Sequence, residues 1–179
     1  MIEVLLSTKK IKDSVFKKSI VLIIKQIDNM FVGIILNKFL GETVGGMWKN
    51  IDPNFKYKKN KFIKFGGPLY DSKYSIVVIH KIKKYGEFEI FPKIFVSFKI
   101  ENIDKIIKNK KFPFEMYIGY SYWKEDQLYE EIKNGYWRII DQKDEFIFNE
   151  NDIWKELNDK QNYIINEKLK IKAQNYKIN

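Results

Sequence analysis

A β-hairpin is the feature of this sequence that most restricts its fold. Residues Ser19–Ile24 are rich in β-branched side chains, which is typical of a strand buried on both faces. Asp28 and Asn29 favour a turn, and Phe31–Leu36 has the composition of a second strand. We therefore predict an antiparallel hairpin over residues 19–36.

Further strands and helices are predicted on both sides of the hairpin. The predicted strands are Val4–Leu6, Lys61–Phe65, Tyr74–His80, Phe88–Phe98 (two short strands or one bent strand around Pro92), Glu115–Tyr120, Tyr136–Ile140 and Asp144–Phe148. The predicted helices are Glu101–Lys108, Lys124–Asn134, and one that includes Ile153, Trp154 and Leu157 and is capped by Asn151-Asp152. Glu42–Trp48 is compatible with a helical turn, but Gly45 and Gly46 disfavour one.

The chain of 179 residues is long enough for one domain with a substantial core. We assign residues 1–160 to this domain, and residues 161–179 to a Lys- and Asn-rich extension that is either helical or frayed. Apolar runs are far shorter than the roughly 18–20 residues of a membrane span, and an acid stands near Met1 where a signal peptide carries basic residues. We therefore expect a cytoplasmic protein without a membrane partner.

The net charge of +10 points to nucleic acid as one class of partner. Lysine supplies all but one of the 33 basic residues, whereas specific phosphate and base recognition favours arginine, whose planar fork donates to two acceptors. The residue types that abound here, Lys, Ile, Asn, Phe and Tyr, have AT-rich codons, so an AT-rich genome would by itself raise the lysine content. We therefore expect an unknown protein or small-molecule partner, and keep nucleic acid as an alternative.

The catalytic chemistry available to the chain is limited. His80 is the only histidine and there is no cysteine, so a zinc site would need several carboxylates in register. No cofactor, metal site or catalytic residue is predicted. A packed or hydrogen-bonded histidine and a solvated acidic helix face are the simpler interpretations of His80 and of the acids at 125–131. A small enzyme that uses either set stays open as an alternative.

The stretch from Gly119 to Trp137 predicts a strand end, a loop, a short helix and a new strand. Its aromatic residues are interpreted as core struts in preference to a base-stacking platform. Gln127 is expected to hydrogen-bond the preceding loop and to fix Trp123. Earlier in the chain, Gly66-Gly67-Pro68 predicts a sharp turn, with anion binding by its N–H groups as the alternative.

Four segments in this order resemble the YqgE/AlgH family of bacterial proteins. They are Leu5-Leu6 with Asp13–Leu22, then Val32–Lys38, Phe65–Pro68, and Gly119–Trp123 with Gln127-Leu128, Glu130-Glu131 and Trp137. The chain departs from the family pattern in four places. Lys9 replaces a Pro, Ser121-Tyr122 replace a small residue and Gly, Glu125-Asp126 replace Pro-Gly, and Lys25-Gln26 stand where some members have Cys and His.

The resemblance implies a single α/β (α+β) domain with a mostly antiparallel, bent and bifurcated sheet that approaches a pseudo-barrel, flanked by several helices. It implies no established reaction, and one branch is named for a regulatory role, which suggests a transcriptional regulator. We therefore expect a non-enzymatic binding or regulatory protein. The residues expected at its binding surface are Asn37, Gly66, Gly67, Pro68, Gly119, Tyr120, Trp123 and Gln127.

Overall fold

The computed structural model describes residues 4–57, 60–70, 75–109, 111–140, 147–148, 154 and 157. The strands are β1 (Val4–Ser7), β2 (Ile20–Ile27), β3 (Met30–Ile35), β4 (Phe39–Thr43), β5 (Phe62–Phe65), β6 (Ile76–His80), β7 (Phe88–Phe91), β8 (Ile94–Ser97), β9 (Phe114–Ile118), β10 (Ser121–Lys124) and β11 (Trp137–Ile140). The helices are α1 (Val44–Trp48), α2 (Ile100–Lys108) and α3 (Glu125–Lys133), with a short 3-10 helix at Lys83–Tyr85.

The strands form two hydrogen-bonded sheets. The first has five strands in the order β10-β3-β2-β1-β11, and all of its pairs are antiparallel. The second has six strands in the order β4-β5-β9-β6-β8-β7, in which only β5 and β9 run parallel. The predicted α/β class and the mostly antiparallel pairing are confirmed, and within the described residues neither sheet closes into a barrel.

Three apolar clusters form the layers of the core. The first includes Leu22 and Ile34 from one sheet and Val77 and Val96 from the other, so it fills the space between the sheets. The second includes Val21 and Ile35 of the first sheet and lies under α3. The third lies between the second sheet and the helices α1 and α2. Because β2 contributes alternate residues to two clusters, its first five residues are buried on both faces, as predicted.

Most predicted elements are present, and the hairpin of β2 and β3 turns at Asp28, which has φ +49°. The sequence does not predict two of the described strands, β4 and β10. The strand β10 lies where we expected a loop. The helix α1 forms despite its two glycines, because Thr43 Oγ1 accepts a hydrogen bond from Gly46 N–H (3.1 Å) and Val44 and Trp48 are buried.

Several predictions fall outside the described residues. They are the strand Asp144–Phe148 apart from its last two residues, the helix around Trp154 apart from Trp154 and Leu157, and the extension 161–179. Ile147 and Phe148, the described end of the predicted strand, lie in a turn. Trp154 and Leu157 are helical, and Trp154 Nε1 donates to Ser7 Oγ (3.1 Å).

Candidate functional site

The two sheets meet where two glycine segments cross. The Gly66 N–H donates to the carbonyl of Ile118 (2.7 Å), and the Gly66 carbonyl accepts from Ile35 N–H (2.8 Å), so this residue connects the end of β5 to both β9 and β3. Gly119, with φ +83°, carries the chain from β9 of the second sheet to β10 of the first. We call this region, residues 65–70 and 118–122, the sheet junction.

The junction has no room for side chains at its glycines. A Cβ on Gly66 would lie 2.1 Å from the Gly119 carbonyl oxygen, and one on Gly119 would lie 2.2 Å from the Gly67 carbonyl oxygen. A Cβ on Gly67 would lie 2.4 Å from the backbone of Tyr120. Because backbone stands in the way in each case, glycine is required for the crossing itself.

Apolar side chains cover the outer side of the sheet junction. Leu69 and Tyr120 exchange two backbone hydrogen bonds (3.0 and 3.1 Å), which brings residues 68–70 beside the start of β10. Pro68 is exposed, and Leu69, Tyr70 and Tyr122 expose 43%, 65% and 43% of their surface. Tyr120 is half-buried and contacts Tyr122 edge to face, with ring centroids 5.1 Å apart. We call the surface of Pro68, Leu69, Tyr70, Tyr120 and Tyr122 the junction patch.

The phenol of Tyr122 is uncharged over the physiological range. Partial burial, and after it the side-chain hydrogen bond with Tyr120, raises its pKa. The patch is therefore an apolar surface that carries hydroxyl groups.

Asn37, which we expected at the binding surface, holds the backbone of the preceding loop. Its Nδ2 donates to the carbonyl of Lys18 (2.8 Å), and its Oδ1 accepts from Ile20 N–H (2.8 Å). The next residue acts on the same loop, since Lys38 Nζ donates to the carbonyls of Ser14 (2.8 Å) and Val15. The side-chain amide of Asn37 is thereby used inside the fold.

Trp123 is buried in the cluster under α3, where its ring lies edge to face on Trp137 (centroids 6.0 Å apart) and packs on Phe16 (5.4 Å). The prediction that Gln127 fixes Trp123 is wrong. Gln127 is exposed, and its Nε2 donates to Glu131 Oε1 (2.9 Å) on the same helix. The other carboxylate oxygen of Glu131 accepts from Trp137 Nε1 (2.7 Å), so this amide supports the second tryptophan through the carboxylate.

His80 is fully buried, and its hydrogen bonds define its tautomer. Its Nδ1 accepts from Ile82 N–H (3.1 Å), so the neutral ring carries its proton on Nε2 and donates it to Ser97 Oγ (2.9 Å). The Ser97 hydroxyl in turn donates to the carbonyl of Tyr85. Burial lowers the pKa of His80 to about 4, against a smaller opposing effect of Glu87. An imidazole that donates to the serine cannot take its proton, which argues against a Ser–His nucleophile here.

The acidic face of α3 is solvated at its start. Asp126 is exposed and its carboxylate accepts from the N–H of Gln127 (2.8 Å). Within the residues that the structure describes, no group of three or more His, Asp or Glu side chains could hold a metal ion. In the same part of the chain, no helix is long and apolar enough to cross a membrane.

A buried charge cluster escaped prediction altogether. Glu115 on β9 is 4% exposed and contacts Lys61 Nζ (2.6 Å) and Lys64 Nζ (3.2 Å). Lys64 is also buried, and its ammonium lies 5.7 Å from the centre of the Tyr117 ring. The parallel pairing of β5 with β9 brings these charges together over more than 50 residues, so no local sequence signal predicts them.

These features define the chain as an α/β protein whose two sheets are joined where two glycine segments cross. The chain belongs to the AlgH-like family, whose model matches residues 4–166. It is 28% identical over 154 residues to a UPF0301 protein of Chlamydia caviae, covering 82% of this chain and 77% of that one. It is also 28% identical over 153 residues to a UPF0301 protein of Bacteroides fragilis, with 83% and 75% covered.

Two solved structures share the fold. The solution structure of the AlgH protein from Pseudomonas aeruginosa superposes with a TM-score of 0.65 at 15% identity, covering 99% of this chain and 88% of that one. A crystal structure of a protein from Corynebacterium diphtheriae gives a TM-score of 0.64 at 19% identity, with 87% and 83% covered. The predicted resemblance is thus confirmed, and no biochemical activity comes with the family.

Proposed function

We propose that the protein is a non-enzymatic cytoplasmic binding module with a regulatory role, and that the junction patch is its surface for a protein partner. The observation that carries this proposal is the exposure of Leu69, Tyr70 and Tyr122 on a hydrogen-bonded backbone crossing. Contiguous exposed apolar surface is typical of interaction sites on folded proteins.

The chemistry of the patch favours a protein segment with apolar side chains. Tyrosine is enriched among the residues that dominate protein interfaces, because its ring buries a large area and its hydroxyl still finds a partner. Leu69, which pairs with Tyr120, adds an exposed aliphatic side chain, and the exposed Pro68 precedes it in the chain. The N–H and the carbonyl of Leu69 are both hydrogen-bonded to Tyr120, so its backbone is already ordered and binding loses less conformational entropy than it would at a free loop.

The sheet junction contains both residues that serve the fold and residues that are exposed on the junction patch. Gly66, Gly67 and Gly119 are buried or closely packed and serve the crossing, and Trp123 serves the core. Tyr122 stands where the family pattern has a glycine, so its exposed ring is a departure on an otherwise shared frame. We infer that such departures adapt the same crossing to different partners.

A pair of matched double variants tests the proposal. Leu69→Ser with Tyr122→Ser removes the centre of the patch, and Ile51→Ser with Phe112→Ser removes two exposed apolar side chains elsewhere. Each tagged protein is expressed in the native cell, and co-purified proteins are quantified beside thermal melts that check folding.

We expect at least one protein to be captured by the unchanged chain and by the control, and to be depleted about tenfold or more with the patch variant, as when interface hot spots are removed. Equal recovery of every captured protein from all three chains would refute the junction patch as the partner surface.

A further inference from the structure

An open cleft lies beside the C-terminal end of α3, at the edge of the first sheet opposite to β10. Its volume is about 630 Å³, and it is lined by Lys9, Lys10, Lys12, Asn134 and Tyr136. The size lies within the range of about 300–1,000 Å³ that small-molecule sites occupy. The cleft shares no residue with the junction patch.

The walls of the cleft are joined by hydrogen bonds between two distant segments. The Thr8 N–H donates to the carbonyl of Tyr136 (2.9 Å), and Thr8 Oγ1 donates to the carbonyl of Gly135 (2.8 Å). Lys10 Nζ donates to the carbonyl of Asn134 (2.8 Å). These three bonds fix the lysine-bearing loop against the turn that follows α3, so the cleft is formed before any ligand binds.

The lining is positively charged. Among the residues that the structure describes, it contains three lysines and no acidic residue. Lys10 lies at the C-terminal end of α3, where its ammonium offsets the negative end of the helix dipole, which would otherwise repel an anion. Lys9 and Lys12 are exposed, and no described hydrogen bond or ion pair occupies their ammonium groups.

Tyr136 adds an aromatic surface to this basic cleft. Its side chain is 41% exposed, while its backbone is fixed by the bond from Thr8. Basic grooves with an aromatic ring are the arrangement by which proteins bind single-stranded nucleic acid and nucleotides, because lysines neutralise phosphate and the ring stacks on a base of any sequence.

We propose that the cleft of Lys9, Lys12 and Tyr136 binds a nucleotide unit, with its phosphate between the two lysines and its base on the tyrosine ring. The unit is either a free nucleotide or part of a single strand, since both present the same phosphate and base. Lys10 is a positioning residue that holds the wall of the cleft. This site is independent of the junction patch and of a protein partner.

The test is binding of adenosine monophosphate and of a fluorescent oligothymidylate, measured by calorimetry and by anisotropy over a range of salt. The cleft variant is Lys9→Gln with Lys12→Gln. Its matched control is Lys49→Gln with Lys56→Gln, which makes the same change of net charge at exposed positions near α1, on the second sheet. Tyr136→Ala and Tyr136→Phe separate the role of the ring from that of the hydroxyl.

We expect the cleft variant to weaken binding of the oligonucleotide and to reduce the slope of log K against log salt by about 0.7, the contribution of one phosphate of a single strand that the two lysines no longer neutralise. Tyr136→Ala should weaken binding about tenfold, and Tyr136→Phe should bind as the unchanged protein does. Much tighter binding of the oligonucleotide than of the monophosphate identifies a strand as the source, and similar binding identifies a free nucleotide.

Two results would overturn the proposal. One is the absence of binding of either probe at low salt. The other is an equal decrease of affinity in the Lys9/Lys12 and Lys49/Lys56 variants, which would assign binding to the net charge of the chain and not to this cleft.

Discussion

Gly119 and Gly41 offer a direct measure of what the glycine crossing contributes to stability. Their φ angles are nearly the same, +83° and +78°, so alanine meets the same backbone penalty at each, about 1–2 kcal/mol. Their surroundings differ. A Cβ on Gly41 would have no atom of the described residues within 4 Å, whereas a Cβ on Gly119 would lie 2.2 Å from the Gly67 carbonyl oxygen.

The additional cost at Gly119 follows from the two segments that must move apart. An ordinary carbon–oxygen separation is about 3.3 Å, so the two segments must separate by about 1 Å. The bonds of Gly66 with Ile118 (2.7 Å) and Ile35 (2.8 Å) lie beside this close approach. Breaking a buried backbone hydrogen bond costs about 1–3 kcal/mol, so Gly119→Ala should destabilise by about 2–6 kcal/mol more than Gly41→Ala.

Urea unfolding followed by far-UV circular dichroism measures both variants on one scale. Gly41→Ala should lower the free energy of unfolding by about 1–2 kcal/mol. Gly119→Ala should lower it by at least about 3 kcal/mol, or should prevent the chain from folding. If the two variants are destabilised equally, the close approach of residues 67 and 119 does not hold the sheets together.

Three further predictions concern the polar interior. The fold lowers the pKa of His80 to about 4, so as pH falls the unfolded chain takes up a proton on this histidine before the folded chain does. The stability that His80 contributes is therefore complete above about pH 6.5, and the free energy of unfolding should fall by about 2 kcal/mol between pH 7 and pH 5. In His80→Gln this part of the pH dependence of the unfolding free energy should be absent. Asn37→Ala removes two hydrogen bonds to backbone and should cost about 2 kcal/mol in urea unfolding. Glu115→Ala takes the shared carboxylate from Lys61 and Lys64 and should lower the unfolding free energy by about 3–5 kcal/mol, whereas Lys108→Ala at an exposed pair should lower it much less.

Local chemistry explains which elements could be predicted. β2 and α2 carry strong periodic signals, because Ile20–Ile24 are β-branched or aliphatic throughout and Ile103, Ile106 and Ile107 lie on one helix face. β4 and β10 have no such signal. The residues of β4 are mostly exposed and include Gly41 at positive φ, and β10 is four residues long and begins two positions after Gly119.

The geometry of the site depends on contacts between distant segments. Gly66-Gly67-Pro68 predicts a sharp turn, but nothing near it indicates that Gly119 lies against it, 52 positions after Gly67. The helical spacing of Gln127 and Glu131 allows their hydrogen bond, whereas the bond from Trp137 depends on the turn after α3. The cleft likewise joins residues 8–12 to residues 134–136. These two segments lie so far apart in the chain that no local pattern of residues predicts their contact.

Photo-crosslinking from the junction patch is the most direct measurement of the proposed function. A photoreactive phenylalanine analogue replaces Tyr70, which exposes 65% of its surface. In a separate variant it replaces Phe112, which exposes 37% and precedes β9, at the end of that strand away from the sheet junction. After irradiation in the native cell, the Tyr70 position should give a discrete crosslinked protein that the Phe112 position does not give. No crosslink at either position, or the same products from both, would contradict the assignment of the patch as a partner surface.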